Sequence, residues 1–309
     1  LRDAGVSGDI LLMTGFWRGE EEEIVHLKLA TTVWEASQIQ LLEKAAARLD
    51  SRAHIHLKVD TGMGRLGADV DNLPALCSAL KSATHLVFEG LSTHLASSEI
   101  LDEPSVEEQV AKFEKAKAIV REAGFSPRYL HVANTGAVIS RPETWNNMVR
   151  PGIALYGYHL PFERAGREVS GSKLRLPIKP VLTWKTRILA LRDVHAHQPL
   201  GYGGIYVTKA PARIAVLPVG YADGLNRHLS AHGRVILRDH YAPIVGRISM
   251  DITLVDVTGL PDAAVGDEVI LLGSLDGLSV DAREHAALAD TVVYEILCGI
   301  SKRVPRRHI

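Results

Sequence analysis

Short apolar strands alternate with amphipathic helices through the first half of the chain, and this alternation limits the fold more than any other feature. The predicted strands lack polar alternation, as expected for strands that are covered on both faces. Helical spacing of apolar residues lies between several of them, at 35–49, 72–80 and 105–123. Repeated strand–helix–strand order predicts a parallel sheet with crossover helices. The predicted strands are residues 10–13, 27–33, 54–60, 86–91, 129–133 and 153–156.

A doubly wound sheet and a (β/α)8 barrel both agree with this pattern. The pattern changes near residue 170 after about six strands, whereas a barrel has eight. The chain starts at Leu1, without Met, on a stretch that reads like the end of a helix. For a barrel we therefore expect two further strand–helix units, about 60 residues, ahead of Leu1.

The second half has a different pattern. Residues 165–173 are polar and contain Gly and Ser, which predicts a linker between a first domain at 1–170 and a second domain at 171–309. Short β-rich runs separated by turn residues follow, which predicts a mostly-β domain. Residues 281–300 return to a helical pattern. The predicted β runs are residues 181–190, 213–219, 234–237, 244–245, 252–257 and 269–272.

The composition is that of an ordinary globular protein. The net charge of −1 argues against nucleic acid or an anionic membrane as a partner. No apolar run is long enough to span a bilayer, and no secretory leader opens the chain. Cys77 and Cys298 are expected to be reduced thiols, which favours a cytoplasmic location. We expect no metal site.

The string GMGRLG at residues 62–67 fits the G-x-G-x-x-G pattern of dinucleotide-binding loops, and Glu89 follows at a suitable distance. Two features oppose that interpretation. Asp69 and Asp71 would repel a pyrophosphate. The motif also follows the third predicted strand rather than the first.

Four polar positions lie at or beside the ends of predicted strands, where barrel enzymes place their chemistry: Arg65, His94, the pair Asn134 and Thr135, and Arg150. Each could be structural, and a single histidine beside a strand is more often a packing residue. Four such positions together favour a site. Because barrel phosphate sites use the last two loops, Thr135 and the amides of Gly152 and Ile153 would suit a phosphate.

Glycine-flanked tyrosines mark the second half, in GYGG at 201–204 and GYADG at 220–224, followed by Met250 and Asp251. Such strings form turns with an aromatic lid, or loops in which glycine lets the backbone approach a ligand. The pattern leaves both interpretations open.

Taken together, these strings resemble the alanine racemase family, and they do so along the whole chain in the family's order. The strings that carry the resemblance are HLKVDTGMGRLG at 56–67, EGLSTHLA at 89–96, HVANT at 131–135, MVRPGIALYG at 148–157, GYADG at 220–224, GRISMD at 246–251, and the ending from Tyr294 and Glu295 to Val304, Pro305 and Arg306.

The resemblance implies a (β/α)8 barrel that binds pyridoxal 5′-phosphate (PLP), followed by a β domain, and it argues against a dinucleotide at residues 62–67. It implies interconversion of L- and D-alanine through a PLP-stabilised carbanion with one base on each face, supplying D-alanine for peptidoglycan. It also implies a homodimer with shared active sites, in which Tyr202 is a catalytic base that reaches the partner's barrel.

The remaining roles are also implied by the resemblance. His94 and Arg150 would favour the ionised tyrosine, and Arg150 would face the pyridine nitrogen. Arg65 would bind the PLP phenolic oxygen and the substrate, and Lys58, often carbamylated in this family, would orient Arg65. Met250 would hold the substrate carboxylate, and Tyr221 would narrow the entrance. Those implied on the phosphate side are Asn134, Thr135, Gly152, Ile153 and Tyr294.

One family feature has no match in the sequence. The PLP lysine, which is the second base, belongs to a motif after the first strand, and we expect it upstream of Leu1. Two alternatives stay open: a truncated, inactive chain that only dimerises or binds PLP weakly, and a related enzyme such as a PLP decarboxylase or a broad-spectrum racemase.

Overall fold

A computed structural model describes residues 1–169, 171, 174 and 176–309 of the chain. The described residues divide into two compact units. The first unit comprises Leu1–Leu155 and His159–Pro177, and the second comprises Tyr156–Tyr158 and Ile178–Ile309.

The first unit is built on a curled parallel sheet of five described strands, which form a half-barrel in the order β1-β2-β3-β4-β5. Every neighbouring pair is parallel. The predicted barrel-type sheet is therefore confirmed, with five of the six predicted strands in place. The strands are β1 (Leu11–Leu12), β2 (Ala30–Val33), β3 (Ala53–Lys58), β4 (Leu86–Ser92) and β5 (Tyr129–His131).

Helices connect successive strands, and the three predicted long helices are all present within a few residues of their predicted limits. The helix α2 (Ala36–Arg48) shows which local signals in the sequence start a helix here. Glu35 and Gln38 form a reciprocal capping box at its start, and Ile39 and Leu42 lie on its buried face. The helices of this unit are α1 (Glu21–His26), α2 (Ala36–Arg48), α3 (Leu73–Ser82), α4 (Pro104–Glu122) and α5 (Thr135–Ser140).

The sixth predicted strand, at 153–156, is wrong. Gly152–Tyr156 forms a 3-10 helix, which begins at a glycine with φ of 43°. The extended segment lies just before it: Met148 pairs in parallel with His131, and the Arg150 amide donates to the Ala133 carbonyl at 2.9 Å. Apolar composition alone did not distinguish the short helix from a strand.

The first part of the predicted linker at 165–173 is a β-hairpin rather than an irregular connection. Residues Phe162–Arg164 (β6) and Arg167–Val169 (β7) pair as an antiparallel hairpin. Ala165 and Gly166, both with positive φ, form its two-residue turn. Ser170, Ser172, Lys173 and Arg175 lie outside the described residues.

The second unit is mostly β, as predicted, and contains an antiparallel sheet in the order β17-β16-β13-β14-β15-β12-β9, with β8 paired to β16. A separate two-stranded ribbon, β10 with β11, carries the 201–204 glycine turn. The strands are β8 (Trp184–Arg187), β9 (Ala190–Val194), β10 (Pro199–Leu200), β11 (Tyr206–Val207), β12 (Ala212–Leu217), β13 (Arg234–Leu237), β14 (His240–Val245), β15 (Thr253–Asp256), β16 (Glu268–Leu275) and β17 (Leu278–Val280), and the helices are α6 (Ala282–Leu288) and α7 (Val293–Gly299).

Gly157 belongs to the second unit because it lies directly against the backbone of Lys179. Its φ is 86°, and a Cβ there would fall 2.2 Å from the Lys179 carbonyl carbon. Gly124, after α4, has the same φ of 86° but has open space around it. The two glycines therefore separate the cost of the left-handed backbone from the cost of a steric clash.

We predict that Gly124→Ala lowers the free energy of unfolding by about 1–2 kcal/mol, the cost of a left-handed alanine. Gly157→Ala should cost about 1–3 kcal/mol more, because the backbone around Lys179 must move. Urea denaturation of the two variants measures the difference. Equal destabilisation would show that residues 156–158 are not packed against Lys179.

Candidate active site at the strand ends of the first unit

Polar side chains collect at the carboxyl ends of β3, β4 and β5, although this part of the sheet is buried. Lys58 ends β3, Thr93 and His94 follow β4, and His131 ends β5. Lys58, Thr93 and His131 are each no more than 6% exposed. Parallel strands bring these ends to one edge, so the predicted juxtaposition of His94 and Arg150 is observed, in a polar site inside the half-barrel.

The Arg150 guanidinium lies at the centre of this site and is held by uncharged acceptors. Nη1 donates to His131 Nδ1 at 2.8 Å. Nη2 donates to the carbonyls of Thr93 and Val132 at 2.8 and 3.0 Å and lies 3.3 Å from His94 Nδ1. Burial lowers the pKa of Arg150 to about 10. Among the described residues Arg150 forms no ion pair with a carboxylate, so its positive charge is not neutralised locally.

His94 lies in the loop after β4 and is kept uncharged by its surroundings. Burial lowers its pKa to about 4, and Arg150, Arg65 and Lys58 act in the same direction. Because Arg150 only donates hydrogen bonds, His94 Nδ1 accepts. A neutral imidazole is therefore presented beside the guanidinium.

Gln109, a residue that the sequence did not indicate, holds the His94 loop from α4. Its amide nitrogen donates to the His94 carbonyl at 3.0 Å and to Thr61 Oγ1 at 3.3 Å. Its amide oxygen accepts from the Ala96 amide at 2.9 Å. The available signal was a glutamine at a position of α4 that continues the apolar face of Val106 and Phe113, but its partners lie 13 to 48 residues away.

Lys58 and Arg65 bring further positive charge to the same edge. Burial lowers the pKa of Lys58, and the charges of Arg65 and Arg150 lower it further. Asp60, the nearby carboxylate, acts in the opposite direction on Lys58. At this edge, within the described part of the chain, two arginines and Lys58 therefore lie near a single carboxylate, that of Asp60.

The 62–67 loop does not form a dinucleotide site. Its amides turn towards the Asp60 side chain: Gly62 and Met63 both donate to Oδ1 at 2.8 Å. These and neighbouring backbone amides lower the Asp60 pKa. The loop is followed by a 3-10 turn, and α3 begins only at Leu73. An internal carboxylate therefore occupies the place that a phosphate would need.

Thr135 is brought against the 3-10 helix that begins at Gly152. Its hydroxyl donates to the Pro151 carbonyl and accepts from the Ala154 amide at 3.4 Å. Asn134 is less available than expected, because its side-chain oxygen caps α5 at the Ala137 amide and also accepts from Ser98. Thr135, Gly152 and Ile153 nevertheless lie together, as a phosphate site would require.

The second unit holds the other predicted site residues, and backbone contacts gather two of their loops. The Tyr221 amide donates to the Ser249 carbonyl, and the Ala222 amide donates to the Met250 carbonyl, both at 3.0 Å. Tyr202 is 71% exposed on its glycine turn. Met250, Tyr221 and Tyr294, the last on α7, are also exposed.

Comparison with known proteins identifies both halves of the chain. The family model of the alanine racemase N-terminal domain matches residues 1–160, and that of the C-terminal domain matches residues 181–308. The chain is 39% identical over 313 residues to an alanine racemase of Geobacter sulfurreducens, covering 100% of this chain and 80% of that protein.

Solved structures agree with this result. The alanine racemase of Streptomyces lavendulae superposes with a TM-score of 0.89 at 30% identity, covering 99% of this chain and 79% of that one. The alanine racemase of Bartonella henselae, solved with covalently bound pyridoxal phosphate, superposes with a TM-score of 0.83 at 28% identity, covering 100% and 81%. Within the described residues, every helix is too short or too polar to cross a membrane.

The buried histidines make the stability of the protein depend on pH. Burial lowers the pKa of His56, His94 and His285 to about 4 and that of His131 to about 2, whereas an unfolded histidine titrates near 6.5. The unfolded chain therefore binds more protons as the pH falls below 6.5, and the folded state loses stability there. The lowered pKa values of Asp60 and Glu43 act only below about pH 4.5.

We predict that the free energy of unfolding falls between pH 7 and pH 5 by about 2 kcal/mol for each of these four histidines. Urea denaturation at the two pH values measures it. His131→Gln should remove its share of the loss, whereas His85→Gln, at a partly exposed histidine beside Glu43, should not. A pH-independent stability would contradict the predicted neutral imidazoles.

Proposed function

Because the chain belongs to the alanine racemase family, we propose that it interconverts L- and D-alanine with PLP as its cofactor. The observation that carries the proposal is the Arg150 guanidinium, which is partly buried at the strand ends and held by neutral acceptors. The named relatives support the reaction, and the Bartonella protein supports the cofactor. The product D-alanine would serve peptidoglycan synthesis in the cytoplasm.

The residues present fit such a cofactor. PLP carries a phosphate and a phenolate, and the site offers two guanidinium cations, Arg65 and Arg150. The donors near Thr135 suit the phosphate, because a hydroxyl and the start of a short helix meet there. We assign Thr135, Gly152 and Ile153 to the phosphate, with Asn134 supporting that loop as the cap of α5. Tyr294 is proposed for the phosphate on the family resemblance alone.

Arg150 and Arg65 are assigned to the ring. Arg150 would face the pyridine nitrogen, where a permanent cation keeps that nitrogen unprotonated, and Arg65 would donate to the phenolic oxygen. When bound, PLP supplies an electron sink that stabilises negative charge at the substrate Cα. Arg150 would moderate that sink, because a guanidinium can donate a hydrogen bond to the pyridine nitrogen but does not transfer its proton to it.

Tyr202 is proposed as the base on one face of the substrate, acting from a second copy of the chain. Its exposure on a turn with three positive-φ glycines supports this, since such a turn projects the ring away from its own unit. A phenol accepts a proton only when ionised, and neutral His94 beside cationic Arg150 would favour the ionised form. Arg65 and the Met250 amide would hold the substrate carboxylate, and Tyr221 would narrow the entrance.

We predict that the full-length protein, with PLP and with the lysine that the family resemblance implies, converts L-alanine to D-alanine, and that Tyr202→Phe lowers kcat by about 100- to 10,000-fold. Exchange of the Cα hydrogen with solvent should persist from one enantiomer only, because a different base serves the other face. We assign that second base to no residue of this sequence. Deuterium incorporation into each enantiomer, read by mass spectrometry, measures the asymmetry.

Tyr241→Phe is the matched control, since Tyr241 lies in the second unit and binds only Ser279 through its hydroxyl among the described hydrogen bonds. Its activity should equal that of the unchanged protein. An equal loss of exchange from both enantiomers in Tyr202→Phe would contradict a role on one face, and absence of racemisation in the unchanged full-length protein with PLP would overturn the proposed function.

Lys58 is proposed to carry a carbamate. Burial and two neighbouring arginines disfavour the ammonium ion, and the free amine can attack CO2, forming an N–C bond and releasing a proton. The resulting carboxylate would be an anion between Arg65 and Arg150 and would orient Arg65.

We predict that native mass spectrometry in bicarbonate shows the added mass of one CO2, and that acidification removes it. Lys58→Ala should abolish the adduct and weaken activity, with partial rescue by added acetate or chloride, which can replace the missing anion. The exposed Lys115, paired with Asp71, provides the control Lys115→Ala, which should retain the adduct. An adduct that survives in Lys58→Ala would exclude Lys58 as its site.

A further inference from the structure

Two histidines lie inside the half-barrel in places that the proposed reaction does not use. His56 on β3 is 2% exposed, and His131 on β5 is fully buried. His56 Nδ1 lies 2.8 Å from His131 Nε2, and His131 Nδ1 lies 2.8 Å from Arg150 Nη1. A continuous line of hydrogen bonds therefore runs from β3 across the sheet to the central guanidinium.

The strand register explains how two histidines from non-adjacent strands can meet. His56 lies opposite Gly90 of β4, and Gly90 lies opposite Tyr129 of β5. Gly90 has no side chain, and a Cβ there would fall 2.1 Å from His56 Nδ1. The His56 ring lies over this gap and stacks on Tyr129 with the ring centroids 5.9 Å apart, so its orientation is restricted by packing.

Arginine sets the direction of every bond in the line. A guanidinium has only donors, so His131 Nδ1 must accept from Arg150. A neutral His131 then carries its proton on Nε2 and donates it to His56 Nδ1. His56 in turn carries its proton on Nε2, which points towards Glu89 Oε2 at 3.9 Å. A proton added to His131 Nδ1 would place two donors against each other.

We propose that His131 and His56 are positioning residues, which fix the plane of the Arg150 guanidinium. His56 holds His131 in a single tautomer, and His131 in that tautomer accepts a hydrogen bond from Arg150. The carbonyls of Thr93 and Val132 already hold Nη2 of Arg150, whereas His131 is the partner of Nη1 among the described hydrogen bonds, so His131 fixes the second arm of the guanidinium. The orientation of the guanidinium plane must be fixed, because Arg150 is proposed to donate a hydrogen bond to a flat aromatic ring. This functional consequence rests on the proposed function, whereas the tautomer order does not.

The first experiment reads the tautomers directly in the full chain. The protein is labelled with ¹⁵N in its histidine rings, and long-range proton–nitrogen correlation spectra are recorded at pH 7. Loss of a signal in His131→Leu and in His56→Gln assigns the two residues among the 14 histidines. We expect both to be neutral with the proton on Nε2. A proton on His131 Nδ1, or a charged His131 ring, would overturn the proposal.

The second experiment tests whether the series is coupled. His131→Leu removes both the acceptor for Arg150 and the donor to His56, so the His56 signal should shift towards a mixture of tautomers. His131→Gln keeps one acceptor and one donor and should restore the single His56 tautomer. His85→Leu is the matched control at a surface histidine. An unchanged His56 spectrum in a folded His131→Leu protein, checked by circular dichroism, would refute the coupling.

Measurements of racemase activity separate the positioning role of His131 from the proposed racemase function. With PLP, we expect His131→Leu to lower kcat in both directions by roughly 10- to 100-fold with a small change in KM, as misplacement of a contact group does. His131→Gln should recover most of the loss, and His85→Leu should lose none. An unaltered kcat in His131→Leu would remove the positioning role. Failure of the unchanged protein to racemise alanine would overturn the proposed function alone, because the tautomer measurement needs no substrate.

Discussion

The hydrogen bonding of the partly buried Arg150 guanidinium is the constraint on which the polar site of the first unit depends. A charged group removed from water must have its donors satisfied, and here two backbone carbonyls and two imidazole nitrogens do so without neutralising the charge. A carboxylate partner would have stabilised the fold more simply, but it would have cancelled the positive potential. The site therefore keeps a cation that an anionic or electron-rich ligand can use.

The same requirement explains why so many neighbouring groups are neutral. His94 and His131 can accept from Arg150 only while unprotonated, and burial, assisted by the positive charges around them, lowers their pKa values and keeps them so. Their neutrality destabilises the fold at low pH, because the unfolded chain takes up protons that the folded site refuses. The arrangement that leaves the Arg150 charge without a neutralising partner among the described residues therefore lowers the free energy of unfolding at low pH.

Glycines contribute by their missing side chains as much as by their backbone freedom. Gly90 leaves room on β4 for the His56 ring, and Gly157 lets the chain pass against Lys179. The glycines around Tyr202 instead have positive φ and form the turn that exposes the tyrosine. Glycine therefore serves close packing in two places and exposure of a tyrosine side chain in a third.

Local periodicity was enough to predict the parallel strands, the long helices and the mostly-β second unit, because burial on one face or both leaves a pattern in consecutive residues. Motif order identified the family and named Arg150 and His94. Residues 153–156 were misassigned, since a short apolar run suits a strand and a short helix equally. The pairing of His56 with His131, 75 residues apart, and the grip of Gln109 on the His94 loop were decided only by the tertiary structure. These contacts depend on strand register and helix docking, which bring together residues that no local pattern connects.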